Sequence, residues 1–263
     1  MFPALYGLAV QAKMPTWSYF CVGADLIMSN LRDAWVVPTS RQFAPHGFLA
    51  PESPWTDLLC ERIAEFLTAY PVDWLLFDWF VYGHLRPNEF PVQPAWFVKE
   101  PFAEIIDRPM PERAEEITAA ESLRYKREVL ARQFHRLQAT VRRHSPKTRI
   151  IFNVPYWGAH EAIWEDHPML RESDGLFAES SDDAVVEWLL EVRRPEQRVM
   201  TTVIGRLDGE HCDPQSWRKW VARGCDLMGY AWGTPPDFRP HPSYEAGLRI
   251  IREAFAALPG APR

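Results

Sequence analysis

Three short apolar runs in this 263-residue chain end in a polar side chain. DWLLFD (Asp73–Asp78) closes on Asp78, RIIFN (Arg149–Asn153) on Asn153, and GLFAE (Gly175–Glu179) on Glu179. A fourth run, DLMGYAWG, brings Tyr230 and Trp232 to its end. In parallel α/β architectures the C-terminal strand ends open onto the loops where catalytic groups gather, so a polar residue closing an apolar run is the first place to look. Two carboxyl groups can share one glycosidic-type cleavage: one attacks or stabilises the developing cation, and the other protonates the leaving oxygen. An acid with apolar and aromatic neighbours has its pKa raised, which suits proton donation near neutral pH. On that chemistry Asp78 and Glu179 are the candidate carboxylate pair, while Asn153 binds a sugar hydroxyl or orients one carboxylate. Each has a plainer reading: Asp78 caps the next turn, Glu179 is a loop or helix-capping carboxylate beside Ser180, Ser181 and Asp182, and Asn153 is a turn residue before Pro155.

Other polar and aromatic residues follow the same runs. Asp25 comes after YFCVGA, and Tyr82, His84 and Glu89 lie in the stretch just past Asp78. Tyr156 and Trp157 follow Asn153, and Asp208 and His211 follow VMTTVIG. Asp25, Tyr82, His84, Asn153, Trp157, Tyr230 and Trp232 are the substrate-binding candidates. The chain carries 12 Trp, a side chain broad enough to stack on a sugar ring and equally suited to core packing. There is no GxSxG elbow, P-loop, GxGxxG after a strand or HExxH, and His167, His211 and His241 lack HxH or HxxxH spacing. The expectation is therefore no metal and no cofactor.

Elements that would hold these residues alternate between short apolar strands and longer amphipathic helices, the pattern of a parallel α/β fold. Strands are expected at Leu5–Val10, Ser18–Val22, Asp73–Asp78, Arg149–Asn153, Gly175–Ala178, Val199–Ile204 and Asp226–Ala231. Helices are expected at Trp55–Tyr70, Glu121–His144, Asp183–Val192, Pro214–Ala222 and Tyr244–Leu258. Leu58, Leu59, Ile63, Phe66 and Leu67 form one apolar stripe on the first of these. Trp79–Ala120 is too long for a simple βα turn and is functional or carries small elements of its own. The expectation is a single domain over residues 1–263 with a (β/α)8 TIM-barrel fold. Seven strands at most are recognisable, so one strand escapes the pattern or the chain starts partway round the barrel at its N-terminus.

Composition narrows the partners. A net charge of −6 with dispersed Lys and Arg argues against a nucleic-acid surface. No segment reaches the roughly 18 apolar residues of a membrane span. Cys21, Cys60, Cys212 and Cys225 show neither CxxC spacing nor a paired pattern, which points to a reduced, cytoplasmic setting. The sequence leaves the oligomeric state open.

From Ser18 to Asp182 the chain resembles glycoside-hydrolase barrels of the α-L-fucosidase type. The resemblance rests on YFCVGAD (Tyr19–Asp25), GFLAPESPW (Gly47–Trp55), VDWLLFDWF (Val72–Phe80), SPKTRIIFN (Ser145–Asn153) and SDGLFAES (Ser173–Ser180). It implies a carbohydrate substrate, with the nucleophile at Asp78 and the acid/base at Glu179. The fucosidase-type pattern places Gly after the catalytic Asp, whereas Trp79 stands here. Two other readings remain open: a catalytically silent carbohydrate-binding barrel, and a barrel isomerase or lyase using Asp78 as its base.

Overall fold

A computed structural model describes residues 2–42, 47–82, 90, 95–154, 161–179, 183–205, 214–231, 249, 252 and 256. The chain divides into two compact units, Met1–Ser173 and Asp174–Arg263.

In the first unit, strands β1 (Trp17–Cys21), β2 (Trp74–Asp78) and β3 (Arg149–Asn153) run parallel, with β2 central. Their helices are α1 (Phe2–Gln11), α2 (Leu26–Leu31), α3 (Trp55–Ala69), α4 (Trp96–Ile106), α5 (Ala119–His144), α6 (Glu161–Trp164) and α7 (Pro168–Glu172). Register pairs Cys21 with Asp78, Trp74 with Arg149, and Phe77 with Phe152. Strand side chains alternate between two faces, and one face is covered by helices. Phe20 meets Phe66 of α3 with ring centroids 5.3 Å apart, and Phe152 meets Phe134 of α5 at 5.1 Å. Tyr19, Cys21, Leu76, Asp78, Ile151 and Asn153 therefore belong to the opposite face. At its lower edge Trp17 stacks on Trp74 at 5.2 Å, and the Arg149 guanidinium lies over Trp74 at 5.1 Å.

The helices that hold this sheet bury stripes at helical spacing. Leu59, Ile63 and Leu67 of α3 are buried, as are Val129, Phe134, Leu137 and Val141 of α5. Each such side chain contributes roughly 1.5–3 kcal/mol by leaving water. Helix α5 starts at a capping box: Thr118 accepts from the Glu121 backbone N–H, and the Glu121 carboxylate accepts from the Thr118 backbone N–H. The expected start at Glu121 thus falls just inside the observed one. The long excursion after β2 carries α4, and the segment Leu5–Val10, expected as a strand, lies within helix α1. Its continuous apolar run does not separate strand from helix. Leu and Ala favour helix, and Pro3 in the first turn is tolerated there. The outward side of the helix leaves Leu5 57% and Leu8 62% exposed.

The second unit carries β4 (Gly175–Ala178), α8 (Asp183–Val192), β5 (Arg198–Gly205), α9 (Pro214–Ala222) and β6 (Cys225–Ala231). β4 pairs with β5 and β5 with β6, again parallel. Arg198 holds Asp226 through two bonds of 2.6 Å, fixing β5 against β6 at their starts. The described residues hold six strands, close to their expected positions. The expected last helix, Tyr244–Leu258, falls outside the described residues except for three isolated positions. Among the described residues no helix is long and apolar enough to cross a membrane.

Candidate active site

Asp78 closes β2, and its side chain is 8% exposed. Three donors reach it. The Tyr19 hydroxyl donates to Oδ2 at 2.5 Å, Asn153 Nδ2 donates to Oδ1 at 2.7 Å, and the Trp79 backbone N–H donates to Oδ1 at 2.6 Å. The first two come from the strands on either side of β2, so the carboxyl is oriented from both flanks. Both carboxyl oxygens thus accept hydrogen bonds.

The backbone beyond Asp78 is unusual. Trp79 has φ of 54°, in the left-handed region that suits glycine. Trp79 is half-buried, with its ring 5.3 Å from Phe48. A Cβ built on Gly23 would stand 2.3 Å from the Trp79 carbonyl oxygen, so the segment after β1 passes directly against this residue. Three further bonds hold that segment: Val22 N–H to the Asp78 carbonyl at 2.8 Å, Leu49 N–H to the Gly23 carbonyl at 2.8 Å, and Trp55 Nε1 to the Val22 carbonyl at 2.6 Å.

A second acid, Glu52, stands in the loop before α3. Its Oε1 accepts from Tyr82 at 2.8 Å and from Tyr125 of α5 at 2.5 Å, while Oε2 is enclosed with no hydrogen-bond partner among the described residues. Burial raises the Glu52 carboxyl above its ordinary range, and the tyrosine hydroxyls pull it partway back. Burial and the adjacent Glu52 push both phenols well up. This cluster joins the loop before α3, the segment after β2 and α5. Next to Asp78 in register, the Cys21 thiol is pushed up to about 12, first by burial and then by the Asp78 charge, so it is a poor nucleophile.

The expected site residues fall in several places. Asp78 and Asn153 are brought together. Asp25 stands past the end of β1 and caps α2, its Oδ1 accepting from the Met28 N–H at 2.7 Å. Tyr82, expected to meet substrate, is 2% exposed with its hydroxyl on Glu52, so its side chain is walled in. Glu179 is exposed just after β4, in the second unit. Tyr230 lies in β6, and nothing is described of its side chain. His84, Glu89, Tyr156, Trp157, Asp208, His211 and Trp232 lie outside the described residues. Sequence reasoning missed Tyr19, Gly23 and Glu52. Tyr19 left no signal in the sequence, because its place beside Asp78 depends on the register between β1 and β2. Among the described residues no group of three or more His, Cys, Asp or Glu side chains could hold a metal ion.

Solved structures similar in fold include an α-L-fucosidase, a β-galactosidase and an agarase. An α-L-fucosidase, isoenzyme 2 from Paenibacillus thiaminolyticus, superposes with a TM-score of 0.63 at 14% identity, over 95% of this chain and 38% of its own. A β-galactosidase from Bacillus circulans sp. alkalophilus gives 0.60 at 10% identity, over 96% of this chain and 48% of its own. An agarase gives 0.58 at 10% identity, over 95% and 45%. The chain spans less than half the length of each, and at such identity the likeness is one of fold. No family model matches the chain, and no curated protein matches it.

Proposed function

We propose that this chain is a glycoside hydrolase, a single barrel-type catalytic domain over residues 1–263 in which Asp78 is the nucleophile and Glu179 the acid/base. The observation that carries the reading is Asp78 itself: a carboxyl at the C-terminal end of a central parallel strand, oriented by Tyr19 and Asn153 from both neighbouring strands. The fold shared with a fucosidase, a β-galactosidase and an agarase supports a carbohydrate substrate. Asn153 then serves to orient the nucleophile. Asp25, His84, Trp157, Tyr230 and Trp232 remain the substrate-binding candidates, while the Tyr82 hydroxyl is bonded to Glu52. Free thiols at Cys21, Cys60 and Cys225 support a reducing, cytoplasmic compartment.

A panel of aryl glycosides and oligosaccharides tests the assignment. Asp78→Asn and Glu179→Gln should each lower turnover by roughly 10²–10⁴-fold, with the thermal midpoint little changed. Wild-type turnover by Asp78→Asn on every glycoside that the parent cleaves would overturn it.

One observation favours a second reading, a catalytically silent carbohydrate-binding barrel. Protein donors engage both Asp78 oxygens, the Tyr19 phenol among them on Oδ2. Binding on the same panel by calorimetry, with no product formed, would select that reading.

A further inference from the structure

A cleft lies at the N-terminal ends of the first unit's strands, opposite to Asp78. It has a volume of about 620 Å³ and is formed where the chain enters β1, β2 and β3. Its charged walls are Lys13 before β1, Asp73 before β2, and Lys147 and Arg149 at β3. None of the three cations forms an ion pair among the described residues. Asp73 Oδ2 is taken by Thr16, whose backbone N–H and hydroxyl donate to it at 2.8 and 2.9 Å. Arg149 is held over the Trp74 ring, which fixes its stem and leaves its fork of donors exposed. In a chain of net charge −6, this cleft has three cations against one carboxylate.

Lys13 adds an independent sign. Its φ is 54°, in the left-handed region, just past the end of α1, where glycine is the common residue. A lysine there strains the backbone and places an ammonium at the cleft. Strain at an exposed position that a smaller residue would relieve points to use of the side chain. Apolar walls from Val10, Met14 and Pro71 complete the cleft, whose size suits a small organic molecule rather than a lone ion.

We propose that the cleft of Lys13, Lys147 and Arg149 binds a small organic phosphate monoester. A monoester carries close to two negative charges at neutral pH, which matches the surplus of two cations over the one carboxylate. A sulfate ester, with one charge, matches less well. The proposal is independent of the glycosidase reading, because the cleft and Asp78 lie at opposite strand ends.

Calorimetry in low salt with phenyl phosphate, phenyl sulfate and phenol on the intact chain tests it. Phenyl phosphate should bind at millimolar concentration or below, more tightly than phenyl sulfate, while phenol shows no heat. The Lys13→Gly, Lys147→Gln double variant should bind phenyl phosphate about tenfold to hundredfold more weakly. Lys13→Gly alone should weaken binding while its melting temperature holds or rises, an outcome that a purely structural lysine would not give. Asp78→Asn should bind as the parent does. The proposal is overturned if phenyl phosphate gives no heat with the parent, if the double variant binds it equally well, or if Asp78→Asn abolishes the binding.

Discussion

At Trp79 a bulky residue occupies backbone that glycine would hold without cost, immediately after the carboxyl assigned to chemistry. Left-handed backbone penalises any Cβ, so Trp79→Gly should be more stable than Trp79→Ala by about 1 kcal/mol, although it removes one more carbon. Urea denaturation of the two variants checks the order; alanine proving the more stable would show that no strain resides there. Glu52 makes a pH prediction. Its folded-state pKa is raised by burial, so its contribution is fully present below the unfolded value near 4.5 and is lost as pH rises through the folded value. Glu52→Gln should therefore gain stability relative to the parent as pH goes from 5 to 8, read from urea midpoints at both ends. Asp78 and Asn153 were legible because each is a polar residue closing an apolar run. Tyr19 and Glu52 were not, since their partners lie 59 residues away for Tyr19, and 30 and 73 residues away for Glu52.

Among the elements, α5 is the best-defined support of the sheet. Arg108 hydrogen-bonds Glu121 and, with the Thr118 backbone N–H, holds that carboxyl down to about 2. A depressed folded value means stability present above the unfolded value near 4.5 and lost as pH falls through about 2. Arg108→Ala should thus be less stable than the parent at pH 6, and the difference should shrink toward zero by pH 2, as thermal melts across that range would show. The strands were legible because short apolar runs bounded by Pro, Gly, Asp and Asn have few other uses. Leu5–Val10 misled because an exposed apolar helix and a buried strand can share one composition. The short helices α6 and α7 were missed because runs of 4 and 5 residues show no full helical period.

For the molecule as a whole, the division at Ser173 and Asp174 left no mark in the sequence: the boundary falls between α7 and β4 with no Pro- or Gly-rich stretch. Asp78 belongs to one unit and Glu179 to the other. Groups that act on one bond are strongly non-additive. The Asp78→Asn, Glu179→Gln double variant should consequently turn over no more slowly than the worse single variant. Losses that multiply instead would mean that the two acids serve separate purposes.

The near-contact between Gly23 and the Trp79 carbonyl also limits how this sequence can drift. Every other genetically encoded residue brings a carbon into space already filled by main chain, so no exchange of neighbouring side chains makes room for it. Descendants of this protein can alter the loops on either side of position 23 only while that one codon family persists, or by rebuilding both loops together.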